Sequence, residues 1–116
     1  MDFRKQNPIY MQIADTLCER IMAGEWQAEE RMPSVRDVAA GLGVNPNTAL
    51  RAFDYLQGND IIHSRRGEGY YLSPEAEKAV VKLHRRQFME DEVPYFLSKM
   101  KMLGITWQEL QEAEER

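Results

Sequence analysis

The sequence predicts a mostly α-helical domain with one small β-hairpin, followed by a short helical extension. Three observations carry that prediction. Apolar residues recur at helical spacing in three segments closed by Gly24, Gly43 and Gly58; a strand-like pattern with a glycine-containing turn follows; and helical spacing resumes after Ser73-Pro74. The chain has 116 residues and a net charge of −4. That length fits one domain, or a small domain with an appendage, and is too short for a barrel or for a Rossmann enzyme with a substrate domain.

The first helix is expected to open at Asn7-Pro8, with Asn7 as N-cap, Pro8 at the first helical position, and Ile9, Ile13, Leu17 and Ile21 forming the apolar stripe. Gly24 is its stop. Ser34-Val35-Arg36-Asp37 is a variant capping box that opens a short second helix with stripe Val35, Val38, Ala39 and Leu42, ended by Gly43. Asn45-Pro46 repeats the cap-and-proline device and opens a third helix through Ala49, Ala52, Phe53 and Leu56 to Gly58. Ile61 to Ser64 and Tyr70 to Leu72 read as two strands around the Arg65 to Gly69 turn. Beyond Ser73-Pro74, Ala76, Val80 and Leu83 share one face, and Val93, Phe96, Leu97, Met100 and Leu103 form a second stripe. Pro94 is expected to kink or break that region. Leu103-Gly104 closes it, and Thr106 to Glu109 is a capping box for a last helix.

Helix, short helix, tight turn, helix and hairpin is the order of a winged helix-turn-helix. Projected at about 100° per residue, Ala52, Phe53 and Leu56 fall within about 60° of Ala49 and form the buried stripe. Asn47, Arg51 and Tyr55 lie on the far side, with Thr48 and Asp54 flanking, and Leu50 is expected at the edge of the core. An outward guanidinium, amide and hydroxyls suit a recognition helix, because arginine grips guanine, asparagine grips adenine and hydroxyls fix phosphates. The chain is acidic overall, yet from Arg31 to Ser73 five arginines against four carboxylates leave +1. Total charge therefore neither excludes nor argues for nucleic acid.

Pro33-Ser34-Val35-Arg36-Asp37-Val38-Ala39, Leu42-Gly43-Val44-Asn45-Pro46-Asn47-Thr48, Arg51-Ala52 and Arg65-Arg66-Gly67-Glu68-Gly69 together resemble the GntR-type bacterial transcription regulators. The Asn45-Pro46-Asn47-Thr48 run and the short C-terminal part resemble the YtrA-like subfamily. The resemblance covers residues 8–73, where it departs from many members by carrying proline rather than arginine at Pro46. It implies a homodimeric, sequence-specific DNA-binding transcriptional regulator, expected to be a repressor at an inverted-repeat operator. Ser34 and Arg36 would meet the DNA backbone, Asn47, Thr48 and Arg51 would enter the major groove, and Arg65 to Gly69 would form the wing.

This divides the chain into a DNA-binding domain, 7–73, and a helical dimerisation or regulatory appendage, 74–116. The candidate DNA-binding residues are Ser34, Arg36, Asn45, Asn47, Thr48, Arg51, Tyr55, Arg65, Arg66, Gly67 and Gly69. The candidate dimer interface is Val93, Phe96, Leu97, Met100 and Leu103. Most have a plainer explanation: Ser34 and Asn45 as caps, Gly67 and Gly69 as turn geometry, the arginines as solvated charges, the C-terminal stripe as folding back on Leu17 and Ile21.

No catalytic group, cofactor or metal is expected. His63 and His84 stand apart from ligand-spaced partners, and Cys18 reads as a buried thiol. The hairpin's Gly67-Glu68-Gly69 lacks the lysine and helix of a phosphate loop. The appendage is too small to enclose a large ligand cavity by itself, so no particular effector is implied. A charged start at Met1 to Gln6, a single cysteine and the lack of an apolar run near the roughly 20 residues that cross a bilayer suit a cytoplasmic protein without a membrane partner. Two rivals stand beside the regulator: a protein-interaction adaptor that kept the fold without binding DNA, and a fragment of the aminotransferase-fused relatives, whose catalytic part this length leaves no room for.

Overall fold

The computed structural model describes residues 7–116; Met1 to Gln6, read above for a signal segment, lie outside the described residues. The chain divides into two compact units, the first ending at Val81 and the second running Lys82–Arg116.

In the first unit, α1 (Ile9–Met22), α2 (Val35–Leu42) and α3 (Pro46–Gly58) precede a two-stranded antiparallel hairpin of β1 (Ile62–Arg65) and β2 (Gly69–Leu72). Helix α3 packs on α1, on α2 and on β1. Its inward face, Ala49, Ala52, Phe53 and Leu56, is wholly buried with Leu17, Cys18 and Ile61. Burying a side chain of Phe or Leu size is worth about 1.5–3 kcal/mol, so these residues anchor α3 against the rest of the unit.

Local chemistry explains the element ends. Ser34 Oγ accepts from the Asp37 amide at 3.0 Å, and Asn45 Oδ1 accepts from the Asn47 amide at 2.8 Å, satisfying donors that a helix start leaves open. Gly43 turns the chain between α2 and α3 with φ 67°, a conformation that costs a residue bearing a Cβ. Helix α1 departs from expectation by one residue. Pro8, with ψ 153°, is the extended cap rather than the first helical residue, and Asn7 contributes its backbone oxygen to Gln12 Nε2 at 3.0 Å. Proline fixes only φ, and its −56° serves either position.

Three apolar expectations are corrected. Ile9, expected in the α1 stripe, is 59% exposed because it is the first residue of the helix, and the buried face begins at Ile13. Leu42 is 42% exposed because it is the last residue of the eight-residue α2, whose buried residues are the central Val38 and Ala39. Leu50, expected at the core edge, is 40% exposed, about 100° around α3 from Ala49.

The hairpin keeps the register Ile62↔Leu72, His63↔Tyr71, Ser64↔Tyr70 and Arg65↔Gly69, which leaves Arg66 to Glu68 as the turn. A third edge was not foreseen. The Glu29 amide donates to Leu72 O, the Leu72 amide to Glu30 O and the Met32 amide to Tyr70 O, so the segment before α2 lines β2. Arg31 bridges Tyr71 there.

Helix α4 (Ala76–Gln87) begins in the first unit and ends in the second. Ala76, Val80 and Leu83 are all buried, as their spacing predicted. A π-helical turn, Phe88–Glu92, then leads into α5 (Val93–Met102). Pro94 neither breaks nor ends the chain's helical course: it falls in the first turn of α5, directly after the π turn, and the Val93 amide reaches back to Phe88 O across the widened turn. Gly104, at φ 66°, ends α5. Helix α6 (Trp107–Glu114) opens with the full capping box, Thr106 and Glu109 each accepting the other's backbone N–H. No helix is long and apolar enough to cross a membrane among the described residues.

Candidate nucleic-acid interface

Helix α3 carries one side buried and one side open. Opposite the buried stripe, Asn47 and Arg51 are exposed and Thr48 and Tyr55 are half-buried. The buried side holds the helix rigidly, so the outward groups have a fixed spacing along about two turns. Asn45 occupies the cap, with its side-chain oxygen already taken by the Asn47 amide. Its contribution to an anion would come from the helix end rather than from that oxygen.

Arg51 does not extend freely into solvent. Its guanidinium lies over the Tyr10 ring of α1, 4.4 Å from the centroid, and Tyr10 meets the Tyr55 ring edge-on at 5.9 Å. Tyr10 was missed from sequence because it lies on a different helix from Arg51, with α2 between them in the chain, and its role arises only when α1 packs on α3.

The second helix presents Ser34 and Arg36 at its exposed start. Ser34 is engaged as the cap, and Arg36 has no ion-pair partner among the described residues.

The wing is joined to the recognition helix by Phe53, whose ring meets Tyr70 of β2 at 5.0 Å. Burial, then the Asp54 carboxylate, raises the Tyr70 hydroxyl above its ordinary range and keeps it neutral. The two wing arginines have different surroundings. Arg65 Nη2 donates to Glu29 Oε2 at 2.6 Å and its guanidinium stacks on Tyr71 at 3.9 Å. Arg66, at the turn, is exposed with no ion-pair partner among the described residues. Glu29 also lies 3.6 Å from His63 Nε2. Gly67 and Gly69 take φ 73° and 94°, so both serve the turn, and a Cβ at Gly69 would sit 3.5 Å from the Arg31 guanidinium. Arg31 thus lies across the wing as a further cation. Neither Arg31 nor Glu29 was singled out from sequence, because both belong to the unforeseen edge segment.

In the second unit the five residues of the predicted stripe separate. Phe96, Leu97 and Leu103 are 50%, 38% and 58% exposed and Val93 is half-buried, but Met100 is 8% exposed. Met100 is therefore corrected from an exposed stripe member to a buried one, because α5 curls into the Gly104 turn and the Ile105 amide donates back to Met100 O. An open groove of about 570 Å³ runs beside it, lined by Pro94, Leu97, Lys101, Ile105 and Trp107 among others. Cys18 is fully buried, and burial first, then Asp15 and Glu19, pushes its thiol up to about 12. It is not a nucleophile at neutral pH.

A buried three-helix core, an outward polar helix after a tight turn, and a cationic hairpin beside it define a winged helix-turn-helix DNA-binding protein. Residues 9–72 match the bacterial regulatory proteins of the gntR family. The chain belongs to that family and is a DNA-binding transcription regulator. It is 34% identical over 110 residues to the HTH-type transcriptional regulator YhcF of Bacillus subtilis, spanning 95% of this chain and 89% of YhcF. It is 29% identical over 112 residues to the HTH-type transcriptional repressor YtrA of the same organism, spanning 97% and 85%. A crystal structure of a GntR-family transcriptional regulator from Bacteroides thetaiotaomicron superposes with a TM-score of 0.80 at 35% identity, covering 93% of this chain and 94% of that one.

Proposed function

We propose that the chain is a transcriptional repressor that binds an inverted-repeat operator as a homodimer, with residues 7–73 reading the DNA and 74–116 joining the copies. One observation carries the reading: Asn47 and Arg51 stand exposed on a helix whose opposite face is fully buried. Arg51 presents a bidentate fork for guanine and Asn47 an amide for adenine, while Thr48 and Tyr55 add hydroxyls for phosphate or base edge. Leu50, exposed beside them, offers an apolar contact to a thymine methyl. Ser34, Arg36 and Arg66 flank the groove as backbone contacts.

Repression is the sign because the similar YtrA is named a repressor. The homodimer follows from two arguments. One winged helix reads too few base pairs for useful specificity, and Phe96, Leu97 and Leu103 leave large apolar side chains in water, each forgoing about 1.5–3 kcal/mol of burial. A two-fold pair would set recognition helices about 34–36 Å apart, one DNA turn.

The test is selection of duplexes from a random library by the full chain, followed by titration of the winning sequence against scrambled DNA and by a promoter fusion carrying it. Recovery of an inverted repeat that silences the promoter supports the reading. Weak binding equal for all duplexes would favour the adaptor instead.

A further inference from the structure

We infer that Tyr10 is a positioning residue for base recognition: its ring sets the plane of the Arg51 guanidinium so that the donor edge faces the major groove. The inference rests on Arg51 as a base contact, as proposed above. A guanidinium has two distinct recognition surfaces. Its face stacks on aromatic rings, and its edge carries the N–H donors that pair with guanine. Arg51 Cζ sits over the Tyr10 ring, 4.4 Å from its centroid, and a guanidinium laid face-on there would leave its donor edge for the DNA.

The ring is itself held on two sides. Tyr10 sits in the first turn of α1, whose start is set by the Pro8 cap, and its ring meets Tyr55 edge-on at 5.9 Å with an interplanar angle of 74°. Tyr55 follows Arg51 by four residues and therefore lies on the same face of α3. Tyr55 thus steadies the Tyr10 ring, and Tyr10 holds the arginine where α1 packs on α3. An arginine held this way loses less rotamer freedom on binding than one free in solvent.

The consequence is a selectivity effect from a residue on a helix that carries no expected base contact. Binding would be measured with the full chain and the best duplex recovered from a random library, alongside single-base variants of that duplex. Tyr10→Leu removes the ring, Tyr10→Phe keeps it, and Arg51→Ala removes the group being held. Tyr10→Leu is expected to weaken binding by roughly three- to tenfold, concentrated at the base pair that Arg51→Ala also relaxes. Tyr10→Phe should stay within about twofold of the parent, and Tyr10→Leu should cost nothing further in the Arg51→Ala background.

Should the leucine variant fail to fold in a thermal melt, Tyr10→Met serves in its place. A Tyr10→Leu loss that adds in full to that of Arg51→Ala overturns the positioning role, as does an equal loss across all duplexes, or a Tyr10→Phe loss as large as that of leucine. If Arg51→Ala relaxes one base pair and Tyr10→Leu changes nothing, only the positioning role fails. If Arg51→Ala itself leaves preference unchanged, the recognition-helix reading fails.

Discussion

Replacing Arg66 by alanine should flatten the salt dependence of DNA binding, whereas removing Arg65 together with Glu29 should not. The difference follows from their surroundings. Arg65 already neutralises Glu29 at 2.6 Å and stacks on Tyr71, while Arg66 is exposed at the turn tip. Each phosphate neutralised contributes about −0.9 to the slope of log K against log salt, so two half-sites make Arg66→Ala worth about 1.8 in a dimer. Between about 50 and about 200 mM salt the variant should lose roughly twelvefold less affinity than the parent does. Arg65→Ala with Glu29→Gln removes a cation and an anion together and should leave the slope unchanged. Fluorescence anisotropy with one labelled duplex across a salt series measures both. An unchanged slope for Arg66→Ala, or an equal flattening for the Arg65–Glu29 pair, would refute the assignment of the wing's phosphate contact to Arg66.

Phe96→Asp with Leu103→Asp should convert a dimer to a monomer in sedimentation without loss of helicity, since both side chains are largely exposed; a dimeric variant would remove α5 from the interface. Phe53→Ala should lower stability by about 3–5 kcal/mol in urea unfolding, because the ring is fully buried and ties α3 to Tyr70; a loss under about 1 kcal/mol would contradict that packing. Cys18 should resist a thiol reagent at pH 8 until the chain is unfolded. Its folded-state pKa lies above the ordinary 9.0, so the unfolded chain gives up the proton first, and stability should fall as pH rises from 9 towards 12. Rapid labelling of the native protein would count against the buried position.

The sequence by itself determined the helices, the caps of α2, α3 and α6, and the hairpin, because those signals are local. Ser34 and Asn45 cap within two or three residues, Gly43 supplies its own backbone conformation, and the apolar spacing of α3 orients its faces without reference to anything else. The same locality made the outward Asn47 and Arg51 legible. Where a covering element mattered, the pattern was ambiguous: Leu42, Leu50 and Met100 all carry the right spacing, yet which of them is covered depends on neighbours that spacing does not name.

Tertiary structure alone decided the rest. It brought Glu29 to Arg65 across 36 residues, laid Arg31 over Gly69, and set Tyr10 against Arg51. Each pairing joins side chains on separate elements, so it exists only after burial of Phe53, Leu17 and Leu56 has fixed how those elements pack. No local rule of charge or periodicity encodes which arginine is held, which is neutralised and which is left exposed.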